Sequence, residues 1–312
     1  MDTVTLGRTG VEVSAAGLGC GGHSRLGQSY GASTESSVAV VGRAVDLGVT
    51  YIDTAEAYGT EGIVGTALRR RRDEVVISTK VSPSTREGKA LDAGGLRDAV
   101  GRSLANLGTD WIDVYHLHGV GLEEYEYCRS ELVPALEALR DEGAIRFLAI
   151  SERFAMDPGH AMLQRAVQDD CWDVMMVGFN PLNQSARDRV FPLTREKDVA
   201  VEVMFAVRRV FSRPEECARV VRELAERGDI DGASVDLDEP FGFLTRGGSA
   251  SVIDAAYRFA RYEPGCHVVL TGTGSVEHLE ANLRSICAPP LPPGDVQRLR
   301  DLFGHLDHLS GN

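Results

Sequence analysis

Short β-branched runs alternate along the chain with longer segments whose apolar positions recur at helical spacing, the pattern of βα units around a parallel sheet. Strands are predicted over Ala16–Gly19, Tyr51–Asp53, Val75–Thr79, Ile112–Leu117, Phe147–Ser151, Val174–Val177, Val199–Met204 and Val268–Thr271. Helices are predicted over Thr34–Leu47, Glu61–Arg70, Gly95–Leu107, Ser130–Glu142, Pro158–Gln168, Ser185–Glu196, Pro214–Glu226 and Val276–Ser285. Val75-Val76-Ile77 is apolar at consecutive positions, as a strand buried on both faces requires, and Gly48 supplies a stop for the first helix. Eight such units close a (β/α)8 TIM barrel, so the expectation is an α/β fold in one domain spanning residues 1–312. Ahead of the first barrel strand, Val4–Leu6 and Val11–Val13 flank Gly7-Arg8-Thr9-Gly10, a predicted N-terminal β-hairpin that closes the bottom of the barrel. Two segments exceed a minimal barrel and give it extended C-terminal loops. These are 206–247, an excursion after the seventh strand, and the 288–312 tail, a Pro-rich link followed by a short helix.

Composition narrows the partners. The 312 residues include 33 Lys and Arg against 46 Asp and Glu, a net charge of −13, which gives no general attraction to phosphate polymers or anionic lipid. Neither nucleic acid nor a membrane is therefore an expected partner, while homo-oligomerisation is left open. No stretch approaches the ~18 to 20 continuous apolar residues of a spanning helix. Met1-Asp2-Thr3 lacks the basic and apolar regions of a secretory signal, so a cytoplasmic location is expected. Cys20, Cys128, Cys171, Cys217, Cys266 and Cys287 are scattered without a CxxC pair and read as reduced thiols.

In a parallel barrel the reactive groups come from the carboxyl ends of different strands. Asp53 ends the second strand with Tyr58 five residues on, Lys80 follows the third, and His118 follows the fourth. Taken singly, each has a structural explanation as a turn cap, a rim residue or an exit to water. Together they put ionisable groups at one end of three adjacent strands. A nearby ammonium favours phenolate and lowers a tyrosine from its ordinary pKa of ~10, so Lys80 can tune Tyr58. Asp53 would hold the lysine, and neutral His118 could hydrogen-bond a substrate carbonyl and orient it. This is equipment for protonating an oxygen while an electron pair reaches its carbon, and a nicotinamide is the natural source of that pair. Two other readings stay open. His116 and His118, two apart on one strand, share a face and could bind a metal in a barrel hydrolase. A nicotinamide-binding sensor or scaffold with little turnover is the other.

The segments Asp53-Thr54-Ala55 with Tyr58-Gly59, Lys80 after its strand, and Ile112-Asp113-Val114-Tyr115-His116-Leu117-His118 resemble the aldo-keto reductases in type, order and spacing. The likeness runs from Leu6-Gly7-Arg8-Thr9-Gly10 to Leu279-Glu280-Ala281-Asn282. The resemblance implies an NAD(P)(H)-dependent oxidoreductase that interconverts an aldehyde or ketone, as small-molecule substrate, with its alcohol. Tyr58 would be the general acid/base, Lys80 and Asp53 would tune it, and His118 would orient the carbonyl. It also implies cofactor contacts. Where the family holds the nicotinamide carboxamide with Ser-Asn and a Gln, this chain has Ser151-Glu152 and Met176, and Phe205 offers a face to the ring. Backbone at Gly272, Thr273 and Gly274 would meet the phosphates, and Asn282 the adenine side. Gly272 and His278 stand where cations for a 2′-phosphate are expected, so the choice between NADP and NAD is open. Gly17-Leu18-Gly19-Cys20-Gly21-Gly22 satisfies G-x-G-x-x-G, but the polar, Gly-rich stretch after it denies the helix that the dinucleotide fingerprint requires. Its glycines, Gly21 among them, are read instead as letting backbone pass close to the cofactor. Substrate choice is expected to lie in loops 20–33, 119–128 and 206–247 and in the tail.

Overall fold

The computed structural model describes residues 1–85 and 87–311. Its strands are β1 (Thr3–Thr5), β2 (Glu12–Ser14), β3 (Ala16–Gly19), β4 (Tyr51–Asp53), β5 (Val76–Val81), β6 (Ile112–Val120), β7 (Ile145–Glu152), β8 (Val174–Gly178), β9 (Ala200–Met204) and β10 (Val268–Thr271). β3 to β10 form a closed parallel barrel in chain order, β10 pairing back onto β3, with helices outside it. This is the predicted TIM barrel, with its strands within a few residues of the expected bounds. Side chains alternate between the inside of the barrel and the helical shell.

β1 and β2 form the antiparallel hairpin, joined by a tight turn at Gly7–Thr9. Leu6 and Val13 plug the lower barrel against Tyr51, Val76, Val114, Val174, Ala200 and Val268. Gly7 makes this approach possible. It sits at φ +47°, and a Cβ there would lie 2.6 Å from the Asp198 carbonyl oxygen and 2.7 Å from the Ala200 nitrogen. Gly7→Ala is expected to lower stability by about 1–3 kcal/mol, read as a lower thermal midpoint, because the plug must lift off the foot of β9.

The helices differ more from expectation. Ser130–Glu142 begins earlier and is broken: Leu122–Tyr127 leads through a wide turn at Cys128–Leu132 into Val133–Asp141. The proposed loop 119–128 is thus largely helix, and its Tyr125 is buried, donating to Asp169 and accepting from the Trp172 indole. Pro158–Gln168 shortens to Ala161–Ala166 because His160 lies at φ +61°. Ser185–Glu196 divides at Val190, ahead of Pro192, which has no amide hydrogen to continue the ladder. A helix not foreseen, Val252–Arg261, completes the seventh unit ahead of β10, with Ser251 capping the amide of Asp254. The excursion 206–247 carries Arg209–Ser212, Pro214–Arg227 and Gly242–Arg246, and the tail carries Pro293–Phe303. Among the described residues no helix is long and apolar enough to cross a membrane.

Candidate active site

The upper ends of β4, β5 and β6 bring the four expected groups together. Asp53 ends β4, and its carbonyl accepts from the Cys20 amide at 2.7 Å, locking the rims of β3 and β4. The chain then makes one short turn at Glu56–Tyr58, closed by Gly59 at φ +72°, which returns the tyrosine ring over the barrel mouth. Lys80, on β5, is fully buried; its ammonium pairs with Asp53 and donates to the Thr54 carbonyl at 2.7 Å. The Ser78 hydroxyl donates to the same Asp53 oxygen at 2.9 Å. Tyr58 Oη lies 3.3 Å from His118 Nε2, the two rings meeting edge to face, and Lys80 Nζ lies 5.4 Å from the Tyr58 ring centre. Tyr58 and His118 are half-buried, open to the mouth, whereas Lys80 and Asp53 are sealed beneath them.

Electrostatics assign the protons. Burial first, then the Lys80 ammonium, press the His118 pKa down to about 3, so its imidazole is neutral at ordinary pH. Burial disfavours the Lys80 ammonium, but Asp53, Tyr58 and Glu202 outweigh it and hold the pKa at about 12. The Tyr58 phenol is pushed up by burial, with Lys80 opposing. The sequence expectation of a phenol lowered by the ammonium therefore holds for that one contribution only. Desolvation wins, and Tyr58 rests protonated.

Gly21 is what lets the tyrosine lie there. A methyl group on it would overlap the Tyr58 ring. Gly21→Ala is expected to displace the phenol and reduce kcat on the order of 10²-fold with little change in stability, because catalysis falls steeply with misplacement of about 1 Å. Steady-state kinetics beside thermal unfolding checks this.

The remaining positions are less uniform. Ser151 Oγ accepts from the Gly119 amide at 2.8 Å, which leaves its hydroxyl hydrogen to donate. Glu152 corrects the expectation of a carboxamide ligand. Its side chain is wholly buried, held by His160 Nδ1 at 2.9 Å and by the Gly178 amide at 2.8 Å, and so is not presented at the mouth. Met176 is buried in register between Ser151 and Glu202 and offers only a weak sulfur acceptor. Phe205 adopts φ +66° beside Phe154, and the Arg208 guanidinium lies 3.9 Å over its ring. Thr273 Oγ1 accepts from the Ser275 amide, and Ser275 caps Val276–Ile286 by accepting from His278. Gly272 is exposed above that helix start, and Gly274 lies in backbone contact with Gly27 of the loop 20–33. Asn282 Nδ2 donates to Thr271 Oγ1 at 2.9 Å.

Sequence reasoning missed Glu202, His160 and the place of His116. His116 and His118 do share the inner face, but they part company: His118 faces Tyr58, while His116 Nε2 lies 2.6 Å from Glu202 Oε1 on the barrel floor. Asp53, His116 and Glu202 each bring a polar atom within 4.8 Å of the others. His118 is not part of this cluster, and Asp53 within it is already paired with the Lys80 ammonium. The signal for Glu202 was present: a lone carboxylate inside the apolar run Val201-Glu202-Val203.

The sequence profile of the Aldo/keto reductase family matches residues 18–303. The chain belongs to this family. An uncharacterized oxidoreductase of Bacillus subtilis, YqkF, is 24% identical over 304 residues, covering 95% of this chain and 94% of that protein. L-galactose dehydrogenase of Arabidopsis thaliana is 35% identical over 153 residues, 47% of each chain. The holo form of aldo-keto reductase AKR11C1 from Bacillus halodurans superimposes with a TM-score of 0.74 at 25% identity, over 96% of this chain and 95% of that one. The protein is accordingly an oxidoreductase acting on carbonyl or alcohol groups with a nicotinamide cofactor. At the rim after β10 the backbones run close together: a Cβ on Gly272 would stand 3.1 Å from the Gly19 oxygen, so glycine there keeps this edge of the mouth narrow. The capped start of an eleven-residue helix follows directly and presents amide hydrogens and a positive dipole end.

Proposed function

We propose that the reductase protonates the oxygen of an aldehyde or ketone from Tyr58, and in the reverse direction takes the proton back from the alcohol. The observation that carries this reading is the 3.3 Å approach of Tyr58 Oη to neutral His118 beside the buried Lys80–Asp53 pair. A carbonyl oxygen seated between the phenol hydroxyl and His118 accepts from both if the imidazole carries its hydrogen on Nε2. Lys80 stabilises the phenolate that remains, and Asp53 keeps the ammonium charged and aimed. When bound, the nicotinamide supplies or receives the hydride at carbon. Ser151 would hold the carboxamide end, Phe205 the ring face, the Gly272–Gly274 backbone the phosphates, and Asn282 the adenine side.

No cation stands in Gly272-Thr273-Gly274-Ser275 to meet a 2′-phosphate, and the helix that follows carries no Lys or Arg before Arg284. This supports use of NADH at least as readily as NADPH. The test is turnover of a carbonyl panel with each cofactor, by wild type and by Tyr58→Phe. Tight cofactor binding with no turnover of any carbonyl would favour the sensor reading instead.

A further inference from the structure

Beneath the Lys80–Asp53 pair the barrel floor holds a second carboxylate. Glu202 is fully buried on β9, and its neighbours in register are Met176 of β8 and Val268 of β10, neither of which titrates. The groups that face it come from across the barrel: Tyr51 and Asp53 from β4, Lys80 from β5 and His116 from β6. Two carboxylates therefore share one ammonium, in a place where an uncompensated charge is strongly disfavoured.

We infer that Glu202, seated against His116, is a positioning residue that sets the charge around Lys80 and Tyr58, and with it the pH range in which the phenol can give up or take a proton. The inference rests on the reading of Tyr58 as proton donor. It follows from which groups can change charge. Burial, and then Lys80, hold His116 down near 3, so it stays neutral. Burial pushes Glu202 up to about 7, with Lys80 opposing. A proton thus enters or leaves the floor of the site across the neutral range. In its ionised form Glu202 favours the Lys80 ammonium and disfavours phenolate at Tyr58. Packing alone does not call for it, since apolar residues in place of a buried ionic pair are often neutral or stabilising.

The experiment compares pH profiles of kcat in both directions for wild type and Glu202→Gln, which keeps the volume and removes the charge. Without the carboxylate the phenol ionises more readily. The basic limb of carbonyl reduction, where protonated Tyr58 is lost, moves to lower pH by on the order of one unit, and the acidic limb of alcohol oxidation moves the same way. The double variant Glu202→Met with His116→Leu removes the whole pair without leaving a buried charge; it is expected to show the same displacement and stands in if Glu202→Gln fails to fold. Superposable profiles, or a change confined to thermal stability, overturn the inference. An active Tyr58→Phe removes the underlying reading instead, so the two failures are distinct.

Discussion

Tyr58→Phe is expected to lower kcat for carbonyl reduction by ~10²- to 10⁴-fold, the range supplied by a positioned general acid. The substitution removes one hydroxyl and little else. The ring still rests over Gly21, and the Lys80–Asp53 pair beneath it keeps its hydrogen bonds to Thr54 and Ser78. Cofactor affinity, measured by quenching of intrinsic fluorescence, is expected to be unchanged, because none of the proposed dinucleotide contacts involves the phenol oxygen. Loss of rate with binding retained separates a proton-transfer role from a structural one. Full activity in the Phe variant would mean that another group is the acid, and His118, neutral down to about pH 3, cannot be a cationic one at ordinary pH.

Lys80→Met is expected to remove activity and also to lower stability by about 3–5 kcal/mol, the usual penalty for stripping one partner from a buried ion pair. Lys80 has no exposed surface and Asp53 almost none, so no water replaces the lost ammonium. Asp53 would take up a proton instead, in the direction its burial already pushes it. Lys80→Met with Asp53→Asn is expected to recover most of the stability and none of the activity, which urea unfolding and steady-state rates check together. The sign of the pH dependence follows from the lysine. Its pKa is raised from 10.5 to about 12 in the folded protein, so the stability it contributes is complete below 10.5 and is lost as pH rises through 12.

The barrel was legible because each strand carries its own local signature. Val75-Val76-Ile77 and Val174-Met175-Met176-Val177 are apolar on both faces, and short polar segments separate them from amphipathic helices. That Asp53, Tyr58, Lys80 and His118 gather at one end of the barrel was legible for a related reason: the ends and following turns of parallel neighbouring strands lie side by side, so type and position along the chain suffice to bring them near one another. Helix boundaries were harder. Ser251-Val252-Ile253-Asp254 carries a capping signal, but the long excursion before it masked the unit it completes.

What the chain by itself determined is the order of strands and helices and the presence of a phenol, an ammonium, a carboxylate and an imidazole at one end of a barrel, because side-chain periodicity and strand ends are local properties. Only the tertiary structure decided that Glu152 turns inward to His160, that Glu202 and His116 meet on the floor, and that burial rather than Lys80 governs the Tyr58 proton. Those outcomes depend on which groups from distant strands share a space without water, and solvation, unlike periodicity, is set by every neighbour at once.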